Sequence, residues 1–211
     1  MVELNQNIPF LWRLSDESGD GLCMVTMVVP FNQGDRRLEH IIETDVLSLA
    51  SEAMQPEQEE VLEWNEEDIS LFLKLISNQH GDLHVPGGQS VRVDLSDPQT
   101  IEIVQIVAAA GFGLVQSGEQ ILAQSSGTEQ VYTNLDLGSE VSLHTLNGFK
   151  RGIIVDTQDD DVVCVMLDEF AIRVDGEFIE ICPHDVLMVK RHQVLHPMYS
   201  SASPGGHDVL H

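Results

Sequence analysis

Apolar residues come along this chain in short runs broken by polar and acidic stretches, and the spacing within each run predicts an element. Gly21–Phe31, GLCMVTMVVPF, is rich in β-branched residues and closes at a proline, so it reads as a strand, with Pro9–Leu14 as its hairpin partner across SDESGDG. Arg36–Met54 sets Leu38, Ile41, Ile42, Val46 and Leu49 at helical spacing, which predicts an amphipathic helix. From Pro56 an acidic link leads into a second helix, with Ile69, Leu71, Phe72, Leu75 and Ile76 on a broad apolar face and Asn65 placed to cap it. Gln89–Leu95 alternates as a strand does. Ser96–Gly111 carries a capping residue, an early proline and a terminal glycine, the start and stop signals of a helix. Phe112–Gln124 reads as a hairpin turning at Ser117 and Gly118. Strands and helices intermixed without a regular βαβ beat predict an α+β fold.

The composition turns polar over QSSGTEQVYTNLDL, and the chain beyond it reads differently. The expected organisation is an α+β domain over residues 1–124, a linker over 125–137, a small five-stranded barrel over 138–190 and an extended or flexible tail over 191–211. The barrel strands are SEVSLHTL, RGIIVDTQ, DVVCVMLD, FAIRVDG and EFIEICPHDVLMVK, too short and too closely spaced for a deep sandwich. Asp159–Asp161 is then the tip of a hairpin. Alternation along each segment predicts an inward face of Ile154, Val163, Val165, Leu167, Ile172, Ile179, Ile181, Leu187 and Val189.

This succession, GSEVSLHTLNGFKRGIIVDTQDDDVVCVMLD closed by HDVLMVK, resembles SH3-like small barrels of the KOW and Tudor type. The matching residues are Val141, Arg151, Gly152, Ile154, Val162, Val165, Leu167, Val186 and Val189, within about 60 of the 211 residues. The resemblance implies a barrel shape, and a function only by analogy. Phe149, Phe170 and Phe178 are the aromatic residues of the strand region and do not compose the aromatic cage of Tudor-type readers.

Charge changes the picture most. Thirty-five acidic residues face ten basic ones, a formal net charge of -25. Phosphate binding needs clustered Lys and Arg, so direct nucleic-acid binding is not expected. Residues 1–130 hold 22 of the acidic and five of the basic side chains, which makes the first domain the expected docking face for a basic partner. Cys23, Cys164 and Cys182 fit neither a disulfide framework nor a metal site, and each sits in an apolar run where a thiol acts as a small buried hydrophobe. The amino terminus lacks a basic leader with an apolar core, and no run has the length of a membrane span, so a cytoplasmic or virion protein without membrane contact is expected.

Candidate chemistry adds little. HQVLH and HDVLH, within a segment holding His184, His192, His196, His207 and His211, set histidines four apart, which on a helix turns both imidazoles to one face. Pro197 and SPGG limit any helix there, so no metal ligands are assigned. Asp159, Asp160 and Asp161 lack the glycine and terminal glutamate of a calcium loop, and DESGDG is only a fragment of one. No nucleophile signature and no phosphate-binding loop occurs, so no catalytic or cofactor-binding residues are expected. The expectation is a non-enzymatic structural or adaptor protein in a homo-oligomer or with a protein partner, such as a phage virion or connector component, with Val209 and Leu210 of the tail as docking residues. An acidic inhibitor imitating nucleic acid and a metal-dependent hydrolase are the alternatives.

Overall fold

The computed structural model describes residues 2–4, 10–15, 21–33, 36–49, 59–80, 91–124, 130–174 and 176–201. They are α+β and fall into two units, Met1–Leu114 and Val115–His211.

In the first unit the predicted hairpin forms from β2 (Leu11–Ser15) and β3 (Leu22–Gln33), in antiparallel register from Leu11↔Val28 to Ser15↔Met24; β1 (Val2–Leu4) lies outside that sheet. Arg36–Leu49, predicted as a helix, is instead a 14-residue strand, β4, antiparallel to β3. Its Ile42, Thr44 and Val46 are buried while Ile41, Glu43, Asp45 and Leu47 are exposed, a period of two. Ile41 and Ile42 suit both periods, and pairing with β3 selects the strand. The ladder shifts register between Met24 and Thr26, where the Thr44 hydroxyl donates to the Val25 carbonyl at 2.6 Å. Residues 50–54 of the predicted helix lie outside the described residues. β5 (Glu59–Glu63) completes a sheet of order β4-β3-β2-β5.

Two helices follow. α1 (Glu66–His80) starts at the predicted cap, where Asp68 N donates to Asn65 Oδ1 at 2.8 Å and Asn65 N to Asp68 Oδ2 at 3.1 Å, a reciprocal pair that satisfies two donors at once. β6 (Val91–Val93) pairs with β1, and α2 (Pro98–Phe112) begins after Asp97, whose carboxylate accepts from Gln99 N. α2 buries Ile103, Val104, Ile106, Val107, Ala108 and Ala109. Trp12 stacks on Trp64 at 4.9 Å, with Phe10, Phe72 and Phe112 meeting these rings edge-on. Each such pair contributes about 0.5–1.5 kcal/mol beyond its buried area.

The second unit opens with β7 (Val115–Ser117), which the sequence reading placed in the first domain as one arm of a hairpin. It pairs in parallel with β13 (Val186–Lys190), and a 3-10 turn at Gly118–Gln120 then carries the chain away. Between them run β8 (Glu140–Thr145), β9 (Gly148–Gln158), β10 (Asp161–Met166), β11 (Phe170–Val174) and β12 (Glu177–Ile181). The fifth predicted segment is two strands, because the chain turns at Cys182–Asp185, where His184 takes a φ of 71° and Cys182 N donates to Asp185 Oδ2. The described part of the expected tail, residues 191–201, holds a 3-10 turn at Arg191–Gln193, β14 (Val194–Leu195) on β8, and the short α3 (Met198–Ser201).

The main sheet has the order β14-β8-β9-β10-β13-β7, with β11 and β12 as a separate hairpin, and among the described residues its ladders do not close on themselves. It is nonetheless curled. Leu122 bridges to Thr145 on β8, only five residues after Ser117 on β7. Five residues reach at most about 17 Å, whereas four flat strand spacings need about 19 Å. The core is Ile121, Leu122, Val141, Leu143, Ile154, Val162, Cys164, Met166, Phe170, Ile172, Ile181, Leu187, Val189 and Val194. On β10 the predicted phase is wrong: Val162, Cys164 and Met166 face this core, Val163 and Leu167 are half-buried, and Val165 is buried outside the cluster, paired to Ile153 and Val186. VVCVM is apolar on both faces, so alternation cannot choose between them. The acidic turn is a hairpin tip that basic residues hold: Lys190 Nζ donates to Asp161 Oδ1 at 2.6 Å, and Arg191 N to the Asp160 carbonyl at 3.0 Å.

Candidate functional site

Two surfaces among the described residues are the candidate sites. The first is the face of the β4-β3-β2-β5 sheet opposite Trp12. Side chains alternate across a strand, so the pairings place Leu11, Arg13 and Ser15 of β2, Thr26 and Val28 of β3, Glu39, Ile41 and Glu43 of β4, and Glu59, Val61 and Glu63 of β5 on it. Arg13 Nη2 donates to Glu39 Oε2 at 2.7 Å, two strands away, and its Nε lies 3.4 Å from Glu59 Oε2. The Arg13–Glu39 pair crosses β3 and roofs Thr26 and Val28, both buried.

The flanks of this face are different. Ile41, Leu47 and Leu49 of β4 are 48%, 48% and 64% exposed and Val61 of β5 is 52% exposed, so aliphatic side chains stand in water on both edge strands. Glu43 and Glu63 share the face and form no ion pair among the described residues. Sequence reasoning missed it because reading residues 36–54 as a helix scatters these positions around a cylinder.

The second surface is a pocket of about 280 Å³ in the other unit, lined by Glu119, Leu122, Ala123, Gln124, His144, His192, Gln193 and Leu195. It lies in a fork. β8 has β9 on one side; on its other side Leu122 bridges to Thr145, whereas β14 pairs with Leu143 and Ser142. His144 sits where one neighbour gives way to the other, so residues 119–124 form one wall and residues 192–195 the opposite one. Both walls come from segments that the sequence reading placed in the first domain and the tail.

Of its lining residues, His144 belongs to a row of stacked rings. His144 stacks on Phe149, its cross-strand partner, at 4.5 Å, and Phe149 stacks on Tyr199 of α3 at 5.2 Å. Tyr199 is held in turn by Gln130 N, which donates to its hydroxyl at 2.8 Å, and by its neighbour Ser200, whose hydroxyl bonds that of buried Ser142 at 2.7 Å. Gln193 Oε1 accepts from Lys190 N at 2.8 Å. That bond turns the amide of Gln193 so that its remaining polar group is a donor.

The other candidates separate. His192 lies in a 3-10 turn and His196 packs edge-on against Tyr132, with strand β14 between them, so HQVLH is not on one helix face; His184 turns the chain elsewhere. His207, His211, Val209 and Leu210 lie outside the described residues, as does DESGDG apart from Gly21. No group of three or more His, Cys, Asp or Glu among the described residues is arranged to hold a metal ion. Cys23 and Cys164 are buried, and burial pushes the Cys164 thiol up to about 12, which keeps it inert. Cys182 is exposed, against the expectation for it, with its thiol raised by partial desolvation and by Asp185, Glu180 and Glu169. No helix among the described residues is long and apolar enough to cross a membrane. No protein-family model matches the chain, and no curated protein matches it in sequence.

Proposed function

We propose that this chain is a non-enzymatic structural or adaptor protein that makes protein–protein contacts within a larger assembly and docks a basic partner through its first unit. One observation carries the reading: Ile41, Leu47, Leu49 and Val61 stand exposed beside Glu43 and Glu63 on the outer sheet face. Ile41, Leu47 and Leu49 lie along β4, and exposed aliphatic side chains rimmed by charge mark contact surfaces. The acidity of residues 1–130 selects a partner of opposite sign. We read the second unit as a small SH3-like barrel, an architecture that lends itself to presenting loops and edges. A subunit of a cytoplasmic or virion assembly has this combination of size, acidity and exposed sheet.

Imitation of nucleic acid fits the same face less well. It needs uninterrupted rows of carboxylates, whereas Ile41 and Val61 break the rows and Arg13 neutralises Glu39 and Glu59. The test is capture of partners from the source cells by the full chain and by an Ile41→Glu, Leu47→Glu variant, with light scattering for mass. The expected result is a stoichiometric complex that the variant loses and that weakens with salt. If both proteins hold the same partners at every salt concentration, or both remain solitary monomers, the reading is wrong.

A further inference from the structure

We infer that the basic partner docks on the first unit by strand addition: an extended segment with Lys or Arg and aliphatic side chains alternating on one face pairs with the outer edge of β4 over residues 38–43. The inference rests on the docking role proposed above and specifies its chemistry. β4 stands at the end of its sheet, and among the described residues its backbone pairs with β3 alone. An unpaired edge is a row of N–H and C=O groups that another chain can complete.

Sheet edges are ordinarily blunted by shortness, by Pro or Lys, or by a bulge. The other end strands of the two larger sheets are short: β5 has five residues, β7 three and β14 two. β4 has 14, with neither Pro nor Lys among them. Its register shift, opposite Met24 and Thr26 of β3, leaves residues 36–43 paired to β3 without interruption.

Glu39, Ile41 and Glu43 share the outer face of this stretch and are all exposed, in the order acid, aliphatic, acid. An added strand sets its own side chains directly opposite, where unlike charges and aliphatic pairs stabilise and like charges repel. The complement is base, aliphatic, base. Glu43 forms no ion pair among the described residues and so offers its full charge, whereas Glu39 already bonds Arg13. A second copy fits poorly. An antiparallel register that sets Ile41 against Ile41, Leu47 or Leu49 of the copy also sets Glu39 against Glu43, Glu43 against Asp45, or Asp45 against Asp45. The acidity of residues 1–130 adds to that repulsion.

The probe is the peptide acetyl-TKTVTKT-amide, titrated into the full chain and followed by amide NMR spectra and hydrogen exchange. Saturable binding is expected, with slowed exchange at alternate residues of 38–43 and with affinity falling as salt is added. Two methylated forms separate strand addition from plain charge attraction: one carries N-methyl groups on its Lys and Val residues, the other on its Thr residues. Alternate amides of a strand point to opposite edges, so one form should lose roughly tenfold or more in affinity and the other stay within a few-fold of the parent. Glu43→Lys should weaken the parent peptide and favour acetyl-TETVTET-amide, and its amide spectrum reports whether the unit is still folded. No saturable binding at millimolar peptide, equal affinity of the two methylated forms, or equal affinity of wild type for the acidic peptide overturns the inference. Each does so even where Ile41→Glu, Leu47→Glu loses a captured basic partner and the wider docking role stands. A dimer mass in light scattering with the β4 amides protected before peptide is added also overturns it, because a second copy then holds the edge. Binding as expected supports the edge site even where no partner is captured from cells.

Discussion

Asp68 ties three parts of the first unit to one carboxylate. Its Oδ2 accepts from the Trp12 indole, 56 residues away, and from Asn65 N, so it caps α1 and fixes the aromatic cluster together. Burial raises its pKa above the ordinary 3.8, against the lowering effect of those two hydrogen bonds. A raised carboxylate contributes stability that is complete below its unfolded pKa and lost as pH rises through the folded value. Denaturant midpoints of Asp68→Asn, whose amide oxygen still accepts both bonds, should therefore lack the fall in stability that wild type shows just above pH 3.8. Asp68→Ala, which strands the indole N–H, should cost about 1–3 kcal/mol near neutral pH. Gly118 presents the opposite constraint. A Cβ there would lie 2.8 Å from Val189 Cγ1 and 3.1 Å from the Met188 carbonyl, so Gly118→Ala should cost about 1–3 kcal/mol by overpacking. A Gly118→Ala protein as stable as wild type in urea would show that β7 does not lie against β13 in this way.

At the scale of elements, β4 is where two periods compete. On a helix Ile41 and Ile42 share the apolar face; on the strand Ile42 is 6% exposed and Ile41 48%. Ile42→Ala should accordingly cost about 2–5 kcal/mol and Ile41→Ala no more than about 0.5 kcal/mol. Equal costs in chemical unfolding would favour the helix. The signal that points to the strand in the sequence is Gly34-Asp35 between two apolar runs, residue types that suit a two-residue hairpin link. On β10 both faces are buried, so Val162→Ala and Val165→Ala should each cost about 1–3 kcal/mol although their side chains point in opposite directions.

Across the whole molecule, excess acidity sets the response to solution conditions. Raising ionic strength from about 0.01 M to 0.15 M shortens the screening length from about 30 Å to about 8 Å, and with a net charge of -25 the thermal midpoint should rise. A midpoint that falls would mean that attractive pairs such as Arg13–Glu39 and Lys190–Asp161 outweigh the repulsion. Asp168 responds oppositely to Asp68. Burial raises it, but the hydrogen bonds and charge of Arg151 outweigh that and hold it below 3.8, so its contribution is present above its unfolded pKa and lost as pH falls through the folded value. Arg151→Met should remove that acid-side loss in pH-resolved unfolding curves.

The sequence by itself determined what rests on neighbours a few residues apart. Asn65 caps α1, Asp97 and Pro98 start α2, β2 and β3 pair across a polar link, and the β-rich segments after residue 138 are strands; each depends on local hydrogen bonds, fixed dihedrals or side-chain alternation that a short window contains. Tertiary structure alone decided what rests on distant partners. β4 is a strand because β3 supplies its hydrogen bonds, β10 takes its phase from β9 and β13, and residues 191–201 are ordered because β8 and β9 receive them. Both candidate surfaces belong to this second group. The outer sheet face aligns four strands, and the fork pocket brings residues 119–124 and 192–195 to His144, so each exists only once long-range pairing has overridden the local period.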